Sequence, residues 1–304
     1  DYSLRLIIYN LFYTTTGLIG TPISVCSTYV VLFVIFGAFL EKTGISDFFI
    51  QLANSIAGSS SGGPAKVAVI SSALCGMVSG SSVGNTVTTG AVTIPLMKRT
   101  GYQPEFAGAV EAAASTGGQI MPPIMGAAAF LMAEMAGVPY GSIIARAILP
   151  AALYFSGIFI MVHLEAKRLG LRGIPREELP NFFALFKRSW YLLFPLVLLV
   201  WMILEGRTMS RSAMVATVAC IAVSMVRKES RMTLTTFLDA LEGGARSSLS
   251  VAVACGVAGL ISGVITMTGL GQSIITEIVK LSGGHLIIAM FLTMITCIVL
   301  GMGV

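Results

Sequence analysis

The chain has 304 residues, 55% of them hydrophobic and only 11% charged, with a net charge of +5 and a mean hydropathy of +0.88. Soluble domains carry about 25% charged residues, so this composition excludes an ordinary water-soluble domain and points to an integral membrane protein. The small positive balance does not indicate nucleic-acid binding, because the basic residues gather in short connections between apolar runs.

Apolar runs of about 16 to 20 residues suit membrane-crossing helices and not the alternating strands of a barrel. In chain order, residues 4–20 are apolar but contain Gly17 and Gly20 ahead of Pro22, and read as the tail of an earlier helix. Spans are expected at 23–41, 142–163, 189–205, 211–226 and 248–267, with a half-length segment at 285–304. Two further stretches, 65–97 and 104–135, are apolar but interrupted. The expected fold class is therefore an all-α polytopic membrane protein with a re-entrant hairpin and a broken helix. The chain starts at Asp1 without an initiator Met, shows no signal-peptide pattern and stops at Val304 inside an apolar segment, so it is expected to be an excerpt of a larger protein.

The first interruption is the most informative. Cys75 to Met97 reads CGMVSGSSVGNTVTTGAVTIPLM, an apolar run broken by SGSSVGN. Unpaired backbone groups in hydrocarbon cost several kcal/mol each, so this polar segment must be buried in protein or line a wet cavity. The arms on either side reach about halfway across a bilayer at roughly 1.5 Å per residue. The expectation is a hairpin with its tip, Ser79 to Asn85, near the midplane. One half-helix would end there with free carbonyls and the next begin near Asn85 with free N–H groups. Ser79, Ser81, Ser82 and Asn85 supply oxygens of the hard type that sodium accepts. The plain alternative is a kinked span with glycines for close packing.

The second interruption is EAAASTGGQIMPPIMGAAAF, Glu111 to Phe130. Gly117 and Gly118 are expected to stop one half-helix, and Pro123 to open another as a first-turn proline. Ser115 to Gly118 would lie about 16 to 21 Å deep at helical rise, level with the hairpin tip. A simple proline kink is the alternative. Glu111 and Glu134 are acidic residues within this span, and intramembrane carboxylates often mark a relay or a site. Glu134 is near the far end and could reach water. Glu111 lies one or two turns inside, as a proton-linked group or as a structural ligand for the hairpin. His163 and His285 sit at span ends. Asp239 to Ser247 resembles an interfacial helix, and the five cysteines fall in apolar runs as packing residues with no metal motif.

If the hairpin opens to the cytoplasm, that side receives most of the cations, among them Lys42, Lys66, Lys98, Arg99 and Lys167, whereas Arg146, Arg207, Arg211 and Lys280 fall opposite. A shift of 225 residues places Thr43-Gly44 on Thr268-Gly269, Gly58 on Gly283 and Gly76-Met77 on Gly301-Met302. With the topology count, this reads as an inverted repeat: 23–163, a basic cytoplasmic connection at 164–188, and 189–304, truncated at its second hairpin tip.

At these residues the chain resembles the large membrane subunit of tripartite ATP-independent periplasmic (TRAP) transporters, the DctM-type permease. GGPAKVAVISSALCGMVSGSSVGNTVTTGAVTIPLMKRTGY and AGAVEAAASTGGQIMPPIMGAAAFLMAE carry the resemblance, and their wording is closest to the fused permeases that work with TAXI-type binding proteins. The resemblance implies an elevator-type carrier of the ion-transporter superfamily, multi-pass in a bacterial or archaeal inner membrane. A periplasmic binding protein would deliver an organic acid, often a dicarboxylate, and a small membrane subunit, fused or separate, would complete the system. It implies a sodium site at Ser79, Ser81, Ser82, Asn85, Gly117 and Gly118, with substrate contacts at Asn85, Thr86 and Thr116. Gly84-Asn85-Thr86 also resembles a Ser-Asn-Thr signature of related anion symporters, with Gly in place of Ser. No other cofactor is expected. Sodium is the expected coupling ion, and Glu111 keeps a proton-coupled carrier open. The rivals are a stand-alone anion symporter and, from another class, an intramembrane serine hydrolase using Ser79 or Ser82, which lacks a nearby base.

Overall fold

The computed structural model describes residues 3–226 and 231–301, and every regular element among them is helical. Among the described residues four helices are long and apolar enough to cross a membrane: Thr21–Lys42, Tyr140–Arg168, Phe182–Leu204 and Leu234–Thr268. The last joins the expected interfacial segment at Asp239 to the span at 248–267 in one unbroken 35-residue helix. Gly243 and Gly244 do not break it, because a helix-interior glycine costs only about 1 kcal/mol against alanine. The expected span at 211–226 is the shorter helix Met209–Ser224, and residues 4–20 contain a ten-residue helix, Leu4–Tyr13.

The described chain forms two compact units. One comprises residues up to Ser24 together with those from Val253 on. It contains α1 (Leu4–Tyr13), the end of α13 (Leu234–Thr268), α14 (Leu270–Ser282) and α15 (Leu286–Gly301). Glycines let backbones meet here: a Cβ on Gly263 would lie 2.6 Å from the Thr16 carbonyl oxygen.

The other unit, Val25–Ala252, carries both interruptions. After α2 (Thr21–Val25), one π-helical turn leads into α3 (Val31–Lys42). Next come α4 (Ile45–Ala57), α5 (Gly63–Ser79), α6 (Ser82–Arg99), α7 (Pro104–Gly117), α8 (Ala127–Ala136) and α9 (Tyr140–Arg168). Then α10 (Phe182–Ser189), α11 (Phe194–Leu204) and α12 (Met209–Ser224) lead to α13. The aromatic core sits under α3 and α8. Phe130 stacks on Tyr140 at 4.5 Å and meets Phe33 at 4.8 Å between ring centroids, a geometry worth about 0.5–1.5 kcal/mol per pair beyond area burial.

Local structure repeats at the offset of 225 residues. Gly44 (φ 83°) caps the 13-residue α4, and Gly269 (φ 66°) caps the 13-residue α14. Both turns use left-handed backbone that costs glycine nothing. The match of Thr43-Gly44 with Thr268-Gly269 thus falls on the residues that set where α4 and α14 start, while Gly58 and Gly283 follow their ends and Met302 lies outside the described residues.

One expectation is corrected by the end of α3. The Glu41 carboxylate accepts a hydrogen bond from Thr88 Oγ1 at 3.0 Å, and a Cβ on Gly37 would lie 2.9 Å from the Val78 carbonyl oxygen. The turn at Thr43-Gly44 therefore stands near the closed end of the hairpin α5–α6. Lys42 belongs there and not with Lys98 and Arg99 at the open end. The reason is α4, which packs along α5 and carries the chain back over the hairpin's length.

Candidate functional site

The hairpin is real and tighter than its sequence suggests. α5 ends at Ser79, Gly80 turns the chain at φ 61°, and Ser81 caps α6 by accepting a hydrogen bond from the Gly84 N–H at 3.2 Å. Only Gly80 and Ser81 lie outside helix, so the second half-helix starts at Ser82 and not near Asn85. A serine cap provides this early start, and Asn85 falls in the first turn.

The broken helix also differs in detail. α7 stops at Gly117, a single 3-10 turn covers Gly118–Ile120, and α8 opens at Ala127 with Gly126 as its cap. Pro123 is in the connecting loop and does not open the helix. Met121 takes extended backbone, since the residue before a proline avoids helical backbone, and residues 122–124 form a turn. The loop is pinned from α9: the Tyr140 hydroxyl reaches the carbonyl oxygens of Pro123, at 3.1 Å, and Ile124. The Gly126 N–H closes the loop onto the Gln119 carbonyl at 2.8 Å. Tyr140→Phe is expected to loosen this loop at a cost of about 0.5–1.5 kcal/mol, read as a lower melting temperature of the purified protein.

The two interruptions meet. A Cβ on Gly76 would lie 2.5 Å from Gly118 Cα, so the backbones of α5 and the helix break are in direct contact. A Cβ on Gly80 would lie 2.4 Å from the Met125 carbonyl oxygen, so the hairpin tip also rests on the loop. Gln119 Nε2 donates to Ser82 Oγ at 3.1 Å across the same junction. Asn85 is 1% exposed, and its amide nitrogen donates to the Ser72 carbonyl at 2.9 Å, while its Oδ1 is buried without a partner. A buried acceptor left unsatisfied costs about 1–3 kcal/mol, so this oxygen marks a place for a donor or a cation.

The expected site residues divide by position. Ser79, Ser82 and Gly118 are at the junction with Asn85, and Ser81 is exposed at the tip. Gly117 faces the other way, because a Cβ there would lie 2.5 Å from the Tyr154 ring. The hydroxyls of Thr86 and Thr116 donate to their own helices, to the carbonyls of Ser82 and Ala112, each at 2.8 Å. A cavity of about 390 Å³ opens beside the tip, lined by Phe33, Glu41, Ser79, Ser81, Gly84 and Phe130 among others. Neither Thr86 nor Thr116 lines it. Glu41 is the residue that sequence reasoning missed. Its only signal was an acid closing an apolar run beside Lys42, which reads as a span end.

Glu111 is the most enclosed charged group, with 0% exposure. Ser72 Oγ (2.7 Å), Ser115 Oγ (3.0 Å) and the Thr89 hydroxyl reach its Oε1, and the Thr93 hydroxyl reaches Oε2. Those hydroxyls come from α5, α6 and α7, so one carboxylate ties both hairpin arms to the half-helix. Four donors match the roughly four lone-pair sites of a carboxylate. Gly90 makes the approach possible, since a Cβ there would lie 3.1 Å from Glu111 Cγ. Glu134, by contrast, is exposed near the end of α8. Among the described residues no group of His, Cys, Asp and Glu could hold a metal ion of the kind such clusters bind.

The chain is 27% identical over 194 residues to the C4-dicarboxylate TRAP transporter large permease protein DctM of Pseudomonas aeruginosa, covering 64% of the chain and 45% of the relative. It is 24% identical over 270 residues to the sialic acid TRAP transporter permease protein SiaT of Haemophilus influenzae, covering 88% and 42%. To the isethionate TRAP transporter permease protein DctMQ of Oleidesulfovibrio alaskensis it is 24% identical over 272 residues, covering 88% and 42%. The matched part is thus under half the length of each relative. These relatives are permeases and not hydrolases, which removes the serine-hydrolase reading. The sequence profile described as "Tripartite ATP-independent periplasmic transporter, DctM component" matches residues 4–304, and the chain, a helical multi-pass membrane protein, belongs to that family.

Proposed function

We propose that this chain forms the first half of the transport site of a permease that imports an organic acid across a bacterial inner membrane, driven by sodium. The observation that carries the reading is the junction of the hairpin tip with the helix break, with the orphaned Asn85 Oδ1 buried beside it. Asn85 Oδ1 and the hydroxyls of Ser79 and Ser82 are oxygen donors of the kind a hard monovalent cation takes, and they fit sodium by type. The N-terminus of α6 faces outward at Val83 and Gly84; the Gly84 N–H is taken by the Ser81 cap, and the amides of Ser82 and Val83 with the helix dipole favour an anionic substrate. Glu41 in the adjoining cavity would repel that anion, which gives a bound cation a second purpose: it neutralises the mouth of the site. Both hairpin arms and α7 are bound into one body by the Glu111 cluster, as an elevator-type movement requires.

Relatives named for C4-dicarboxylates, sialic acid and isethionate all carry an acidic group, and that shared chemistry supports an organic acid here. A periplasmic binding protein, of the TAXI type by resemblance, would deliver the substrate, and a small membrane subunit would accompany the permease. Proton coupling through Glu111 is the second reading; its four hydroxyl donors and complete enclosure favour a fixed clamp instead.

The test is uptake into liposomes by the intact permease with its binding protein. A sodium gradient is expected to drive uptake, and a proton gradient alone is not. Asn85→Ala is expected to raise the sodium concentration for half-maximal uptake by about 10- to 100-fold, the effect of losing one ligand worth about 1.5–3 kcal/mol. Uptake driven by protons alone, with Asn85→Ala unchanged, would overturn the assignment.

A further inference from the structure

The open end of the hairpin carries a second, unrelated feature. Lys66, in the first turn of α5, is 5% exposed. Its ammonium has one hydrogen-bond partner, Ser60 Oγ at 3.2 Å, and lies 5.3 Å from the centre of the Phe159 ring on α9. His163 and Lys167 lie one and two turns further along α9, on the same face of the helix as Phe159. Among the described residues no carboxylate pairs with any of the three, and Glu165 is turned to Arg168 at 3.5 Å. The Nδ1 of His163 is buried with no partner. Enclosed positive charge with no counter-charge is costly, and it is relieved by an anion.

The same Phe159, over whose ring the Lys66 ammonium sits, also lines a groove along α5 and α9. The groove has a volume of about 460 Å³ and is walled by Val69, Ile70, Ala73, Leu74, Phe155 and Ile160 among others. Beside it the outward face of α9 is apolar and exposed at Leu149, Leu153, Met161 and Leu164, as a lipid-facing helix would be. A basic head at the end of an apolar channel, on the side where the chain's cations gather, has the charge and polarity pattern of a phospholipid.

We propose that the groove between α5 and α9 binds an anionic phospholipid, with its phosphate at Lys66, His163 and Lys167 and one acyl chain along Val69, Ala73 and Phe155. Lysine supplies a point charge for the phosphate, and the apolar wall explains why a free anion alone would be held less well. The inference is independent of the coupling ion and of the substrate.

The experiment uses the intact permease in nanodiscs containing phosphatidylcholine with phosphatidylglycerol, and counts retained lipids by native mass spectrometry after release into detergent. Phosphatidylglycerol is expected to be retained over phosphatidylcholine, and Lys66→Gln or Lys167→Gln each to reduce that preference about fivefold. Lys167 is exposed on the surface of α9, so its variant reports even if Lys66→Gln fails to fold. Ile160→Trp should be quenched more by brominated phosphatidylglycerol than by brominated phosphatidylcholine. Unchanged retention in the Lys167→Gln variant overturns the proposal. So does displacement of the lipid by millimolar inorganic phosphate, which would assign the cluster to a soluble anion. Absence of quenching at position 160 would show the groove covered by another part of the protein and would also overturn it.

Discussion

Replacing Glu111 with alanine is expected to destabilise the protein by roughly 3–5 kcal/mol, the range for stripping a partner from a buried charged network. The full sum would be larger, because hydrogen bonds to a charged group are worth about 1.5–3 kcal/mol each and four hydroxyls lose their acceptor. Three of them have somewhere else to go: Thr89 Oγ1 is 2.7 Å from the Asn85 carbonyl, Thr93 Oγ1 is 3.0 Å from the Thr89 carbonyl, and Ser72 Oγ is 3.1 Å from Thr89 Oγ1. Ser115 would be left facing a cavity. Glu111→Gln keeps the volume but turns an amide donor toward hydroxyls that are already donors, so an intermediate loss is expected. Thermal unfolding of the purified permease measures both. A Glu111→Ala protein that melts like the wild type and has lost only proton-driven uptake would sink the clamp and restore the proton-linked reading.

The second large effect is expected at Gly118. A methyl group there would sit 2.6 Å from Gly76 Cα, closer than non-bonded carbons approach, and both sides of that contact are backbone. Neither can rotate away, so Gly118→Ala must push the hairpin off the helix break. Overpacking of this kind costs about 1–3 kcal/mol, and the displacement moves Asn85, whose amide nitrogen lies only 3.6 Å from the added carbon. Sodium-driven uptake is expected to be lost while the protein still inserts and purifies. Gly108, on the preceding helix α7, is the control. A Cβ there meets nothing within 4 Å, so Gly108→Ala should leave uptake intact and stabilise α7 by about 0.5–1 kcal/mol. Equal uptake by both variants would rule out a functional contact between hairpin and break.

The sequence by itself determined the class, the existence of the hairpin and the existence of the break, because each rests on a local rule. Long apolar runs have to be helices in lipid, and small polar residues inside them have to be shielded there. It also marked Glu111 as a carboxylate needing a partner, and it set the offset of 225 residues at which α4 and α14 start. Side-chain direction was beyond its reach. Gly117 and Gly118 are adjacent in sequence, yet one faces Tyr154 and the other faces Gly76, since neighbours on a helix point about 100° apart. The same limit hid the turning of Thr86 and Thr116 onto their own helices, and the early start of α6 at its Ser81 cap. Only tertiary packing could bring Ser72 from α5 and Thr89 and Thr93 from α6 onto the Glu111 carboxylate of α7, or lay α4 back along α5 so that Glu41 stands at the hairpin tip. Those contacts join residues far apart in the chain, and what selects them is the close approach that glycines permit, a property of two surfaces together that neither segment carries alone.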